Sequence, residues 1–139
     1  MDKPGTSNEA TDSGKPKDEH ESAAPRRHTD KPAACYASML AGLRAVARQH
    51  GYALTLHGSM QRDLDLVAVP WVEEASDAAT LVEAVRVWCG GHIVNDPNAD
   101  PNDYTRRNPQ QNPHGRLGWS IHLGGGPYID LSVMPRLSA

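Results

Sequence analysis

Apolar residues recur along this chain in two rhythms, and the change from one to the other marks its elements. From Pro32 the positions Tyr36, Met39, Leu40, Leu43, Val46, Ala47 and His50 follow at three- and four-residue spacing. That spacing lays them on one stripe of a helix, and Gly51 stands where a left-handed helix stop is expected. The segment Tyr52 to His57 then alternates, with Tyr52, Leu54 and Leu56 on one face of a strand. After Gly58-Ser59-Met60-Gln61-Arg62, a second strand runs from Asp63 to Val69 and is closed by Pro70. Helical spacing returns from Ser76 or Asp77, either of which can cap it, as far as Cys89. Leu81, Val85, Trp88 and Cys89 form its apolar face, and Gly90-Gly91 ends it.

Residues 92–115 are polar and rich in Asn, Pro and Asp. A connection of that length reads as a lid, a binding loop or a disordered stretch. The chain closes on a hairpin. Leu117, Trp119, Ile121 and Leu123 alternate with polar residues and glycine, and so do Ile129, Leu131 and Val133 with Tyr128, Asp130 and Ser132. A one-residue slip would turn every side chain to the wrong face, so polarity selects the register. A three-residue loop, Gly124-Gly125-Gly126, sets Trp119 opposite Leu131, Ile121 opposite Ile129, Ser120 opposite Asp130 and His122 opposite Tyr128. A four-residue loop would oppose Ile121 to Asp130, and glycine suits the shorter turn. The predicted order is α-β-β-α-β-β, an α+β domain with one mixed or antiparallel sheet and two helices on one face.

Composition changes the picture mainly at the N-terminus. Between Met1 and Lys31 the only aliphatic residues are Ala10, Ala23 and Ala24, amid charges of both signs. Such a stretch buries too little apolar surface to offset the entropy of ordering it. Residues 1–31 are therefore expected to be a disordered tail and 32–139 a single domain. The tail lacks a signal-peptide run, and no later run is long enough to span a bilayer, so a soluble cytoplasmic protein without a membrane partner is expected. A net charge of -3 offers no broad attraction for nucleic acid. Cys35 and Cys89 are expected as buried, reduced thiols. Phe is absent, which assigns the core to Trp71, Trp88, Trp119, the leucines and the valines.

The candidate chemistry lies in the carboxylates. Asp63 and Asp65 are two apart on a predicted strand, so they leave the same face roughly 7 Å apart. Asp130 lies on another strand, with Ile129 and Leu131 turned away from it. If the two strands are neighbours, about 4.8 Å apart, three carboxylates converge. Their mutual repulsion is relieved by a hard divalent cation, for which Mg²⁺ is the candidate. Just upstream, Gly58 permits a phosphate to approach the backbone, and successive N–H groups with the Ser59 hydroxyl can cradle its oxygens. Arg62 is placed to meet phosphate charge or to form an internal ion pair. Asp96, Asp100 and Asp103 are spaced loosely like calcium ligands but lack the loop glycine and terminal Glu, so no site is expected there.

Leu56-His57-Gly58-Ser59, Asp63-Leu64-Asp65-Leu66 and Tyr128-Ile129-Asp130-Leu131 together resemble the DNA polymerase β-type nucleotidyltransferase superfamily. The longer string from His57-Gly58-Ser59 through Val69-Pro70-Trp71 to Trp119-Ser120-Ile121-His122-Leu123-Gly124-Gly125-Gly126-Pro127-Tyr128-Ile129-Asp130 is also similar to small phage and bacterial proteins, a likeness that supplies no activity. The superfamily resemblance implies a nucleotidyltransferase-like fold, with Mg²⁺ held by Asp63, Asp65 and Asp130 as catalytic residues. It also implies NTP phosphates held by Gly58 and Ser59, and nucleotidyl transfer to an acceptor with loss of pyrophosphate. One departure stands out. Only Met60, Gln61 and Arg62 separate Gly-Ser from Asp-x-Asp, where the superfamily has a longer insertion that often starts a helix. A tight hairpin is expected instead, without a helix N-terminus for phosphate. Two other classes fit the same residues. One is an accessory interaction protein meeting a protein partner through the tail or the 92–115 loop. The other is a metal-dependent nuclease, which the absence of a basic stripe disfavours.

Overall fold

The structure, a computed structural model, describes residues 30–137. The predicted tail, apart from its last two residues, lies outside the described residues. The elements are α1 (Asp30–Gln49), β1 (Tyr52–His57), β2 (Leu64–Pro70), α2 (Ala78–Cys89), β3 (Gln110–Gln111), β4 (Leu117–His122) and β5 (Tyr128–Val133), with a single 3-10 turn at Pro113–Gly115. Thus α1 begins at Asp30, ahead of the expected Pro32, and the order gains a strand before the hairpin. The result is a small α+β fold of two helices and one five-stranded mixed sheet.

The helices end where their punctuation puts them. Gly51 takes φ 84 after α1. The Asp77 side chain caps α2 by accepting the Thr80 N–H at 2.8 Å. At its other end Gly90 takes φ 68, and the Gly91 N–H closes on the Arg86 carbonyl at 3.0 Å. This is a C-terminal glycine stop.

The sheet order is β1-β2-β5-β4-β3. Only the β2–β5 pair is parallel; β1–β2, β5–β4 and β4–β3 are antiparallel. Two hairpins, β1–β2 and β4–β5, therefore meet along one parallel seam. The closing hairpin adopts the register expected from polarity. Trp119 faces Leu131, Ile121 faces Ile129, Ser120 faces Asp130 and His122 faces Tyr128, and the Leu123 N–H bonds the Pro127 carbonyl across the three glycines.

One face of this sheet is the core. Tyr52 and Leu54, Leu64 with Leu66 and Ala68, Trp119 with Ile121, and Ile129 with Leu131 and Val133 are all buried at alternate strand positions. They form one cluster with Tyr36, Leu43 and Ala47 of α1 and Leu81, Val82 and Val85 of α2. Both helices thus cover the same side, as the amphipathic stripes require.

Trp119 alone among the tryptophans joins this core. Trp71 is 75% exposed and Trp88 46% exposed. Trp71 follows Pro70, past the end of β2, where the alternating pleat no longer directs it inward. Trp88 lies at the rim of the helix pair against Gly42, where a Cβ would overlap its ring; on α2 the buried residues are Leu81, Val82 and Val85. The expected buried thiols are also corrected: Cys35 is exposed and Cys89 half-buried, both free.

The polar connection between α2 and β4 is tied down by side-chain-to-backbone hydrogen bonds. Asp96, Asp100 and Asp103 each accept the N–H two residues on, from Asn98, Asn102 and Thr105. These Asx turns account for their spacing. Asn108, 5% exposed, pins the segment to the sheet. Its Oδ1 accepts the Ser120 N–H at 2.7 Å, and its Nδ2 donates to the Val94 and Thr105 carbonyls at 2.7 and 3.3 Å. Then β3 adds Gln110 opposite Gly118 on the β4 edge. Among the described residues, no helix is long and apolar enough to cross a membrane.

Candidate metal centre

The strand register assembles this site on the sheet face that the helices leave free. Across neighbouring strands, His57 of β1 lies beside Asp65 of β2, Asp65 beside Asp130 of β5, and Asp130 beside Ser120 of β4. Asp63 stands one residue before β2, in a bend, although the sequence pattern includes it in the strand. The Leu64–Ile129 rung of the ladder, extended by one step, sets Asp63 against Tyr128, close enough for its charge to raise the Tyr128 hydroxyl. The three carboxylates do converge. One oxygen from each of Asp63, Asp65 and Asp130 lies within 4.8 Å of the others, and all three residues are half-buried.

The electrostatics follow from this crowding. Burial, then the charges of Asp63 and Asp130 and a hydrogen bond with Asp63, push the Asp65 carboxyl up to about 6, against a smaller opposing pull from His57. Burial and the Asp63 charge also raise Asp130, while His57, a hydrogen bond from Asp65 and the Arg116 guanidinium oppose the rise. Burial and the carboxylates together push the Tyr128 hydroxyl up to about 12, so it stays a neutral donor. An all-oxygen set of three half-buried carboxylates fits a hard divalent cation.

Gly58 is brought to the same place. It takes φ 84 at the end of β1, and a Cβ added there would sit 2.5 Å from Asp65 Oδ2. Two constraints therefore require glycine here, a left-handed backbone and the carboxylate beside it. Ser59 is exposed in the turn that follows. No helix starts there; residues 58–63 pass through bends, with Met60 at φ 62. The link starts no helix, as expected, but it joins β1 to β2 through residues 58–63, a longer connection than the tight hairpin expected.

Arg62 is not drawn into the cluster. Its side chain is exposed and, among the described residues, makes no ion pair; its carbonyl accepts the Tyr36 hydroxyl at 2.8 Å. The guanidinium felt at Asp130 is that of Arg116, whose Nη1 donates to Ser132 Oγ at 3.1 Å and whose Nε donates to the Pro113 carbonyl at 3.0 Å. Tyr128 continues outward into stacked rings: His122 lies 5.8 Å from it between centroids, and His92 5.4 Å from His122. His57 and Tyr128 are site residues that sequence reasoning missed. Strand parity was the available signal, since each leaves the same face as the carboxylates. Comparison with protein-family models, curated protein sequences and solved structures gives no match. The chemistry of the site rests on its own geometry.

Proposed function

We propose that this domain binds a divalent cation, Mg²⁺ in the first instance, at Asp63, Asp65 and Asp130, and presents it to the phosphates of a nucleoside triphosphate. The observation that carries the reading is the meeting of three carboxylate oxygens within 4.8 Å of one another, beside a glycine turn whose backbone lies against Asp65. Bound there, the cation would supply charge neutralisation for phosphoryl oxygens. Gly58 and Ser59 would meet the phosphate tail, with the turn N–H groups and the Ser59 hydroxyl as donors. Asp130, on the far side of the seam, would orient the acceptor hydroxyl for in-line attack on the α-phosphate, with pyrophosphate leaving. This is nucleotidyl transfer, or nucleotide binding without turnover, as the superfamily resemblance implies. Asp63→Asn and Asp130→Asn are expected to abolish the rise in melting temperature that Mg²⁺ and NTP together give the native chain by mass action. Unchanged nucleotide binding in both variants would defeat the reading.

A second reading is favoured by one specific observation, the absence of a helix after Gly58–Ser59, which leaves the phosphate site without a helix dipole. In this reading the carboxylate face is a rigid scaffold and the protein binds a protein partner. The outer side of the ordered 92–115 segment, where Tyr104 is 63% exposed, would make the contact. No thermal response to any of the four NTPs with Mg²⁺ would select it.

A further inference from the structure

Tyr36 is fully buried against the sheet, yet it carries a hydroxyl into the core. A buried polar group left without a partner destabilises the fold, so where this one finds its partners matters. The hydroxyl donates to the Arg62 carbonyl at 2.8 Å, and its oxygen accepts the Tyr128 N–H at 3.2 Å. The Arg62 carbonyl belongs to the peptide link that leads into Asp63. The Tyr128 N–H lies two residues before Asp130 on β5. One oxygen atom therefore ties together the two chain segments that carry the carboxylates. The β2–β5 ladder begins at Leu64 and Ile129, so Asp63 lies outside it. On the Asp63 side the Tyr36 bond is what continues the join.

We propose that Tyr36 is a positioning residue of the carboxylate site, setting the distance between Asp63 and Asp130 through the Arg62 carbonyl and the Tyr128 N–H. This inference rests on the cation reading above and extends it to a residue that touches no ligand. A control is built into the same core. Tyr52 is also buried and donates its hydroxyl to the Ser76 carbonyl at 2.6 Å, but it pairs with Pro70, at the end of β2 away from Asp65.

The test is titration of the full chain with Mn²⁺ by calorimetry, comparing Tyr36→Phe with Tyr52→Phe. Tyr36→Phe loses the two bonds of its hydroxyl and Tyr52→Phe the one bond of its own, so the melting temperature of each is measured beside the titration to separate lost stability from lost affinity. Loss of outer support for a metal ligand weakens affinity by about tenfold or more, and this is expected for Tyr36→Phe alone, with Tyr52→Phe binding as the native chain does. Native-like affinity in Tyr36→Phe, or an equal loss in Tyr52→Phe, would overturn the proposal. Failure of the native chain itself to bind Mn²⁺ would remove the cation reading and this inference with it. Hydrogen exchange on the native chain gives a second measure that needs no variant. Saturating Mn²⁺ should slow exchange of the Tyr128 amide and leave that of Thr80, at the α2 cap, unchanged; an unaffected Tyr128 amide counts against the tie.

Discussion

The two faces of the sheet are built from the same strands by different means. On the helix-covered face, Leu64, Leu66, Ile129 and Leu131 are fully or almost fully buried, and position is fixed by close packing of apolar side chains. On the opposite face, alternate residues of β2, β5 and β4 supply Asp65, Asp130, Ser132, Ser120 and His122. Position there is fixed by directed bonds, including those of Asn108 to Ser120 and of Arg116 to Ser132. Packing of the first kind stabilises and tolerates no gap. The second kind leaves three like charges together, an arrangement that costs stability. The contrast separates what holds this fold from what the fold holds.

Substitutions can break or sharpen that contrast. The largest effect is expected on the packed face: Leu131→Ala should cost about 2–5 kcal/mol in urea denaturation, through lost burial and the cavity left behind. Asn108→Ala comes next, at about 1–3 kcal/mol, because the Ser120 N–H and the Val94 carbonyl lose their partner in a buried site. A smaller change of opposite sign is expected for Asp65→Asn without metal. Relief of repulsion should raise stability by up to about 1 kcal/mol, screened by water at a half-exposed position; a loss would mean the carboxylate is supported in a way the geometry does not reveal.

The same residue sets a pH dependence. Folding raises the Asp65 carboxyl from 3.8 to about 6, so the folded chain holds this proton more tightly than the unfolded one. Its contribution to stability is full below the unfolded value and is lost as pH rises through about 6. In EDTA, denaturation midpoints of the native chain should fall across that window more steeply than those of Asp65→Asn. Parallel profiles would argue against the crowding. The smallest effect belongs to Trp71→Ala, expected within about 0.5 kcal/mol of the native chain because the ring is exposed.

Much of this was legible in the sequence, and the reason is periodicity. Leu66 with Asp65, and Leu131 with Asp130, announce two-faced strands, and the three glycines fix how the last two strands pair. That β2 and β5 are neighbours is a tertiary fact, which alternation within each strand does not encode. The 92–115 segment stayed open between alternatives because the side-chain-to-backbone bonds of Asp96, Asp100, Asp103 and Asn108 that hold it have no hydrophobic rhythm. The two-residue β3, Gln110–Gln111, is polar and too short to alternate. Trp71 and Trp88 were assigned to the core by residue type, whereas exposure is decided by where each stands relative to a strand end or helix rim. Arg62 is near the carboxylates in sequence but its side chain is exposed, whereas the charge of Arg116, remote in sequence, reaches Asp130.

The parallel seam between β2 and β5 carries a mechanical consequence. Asp63 and Asp65 belong to one hairpin and Asp130 to the other, so a cation shared among them would act as a rivet through a joint between two plates. Prying the plates apart would release the ion, and chelating the ion would loosen the plates.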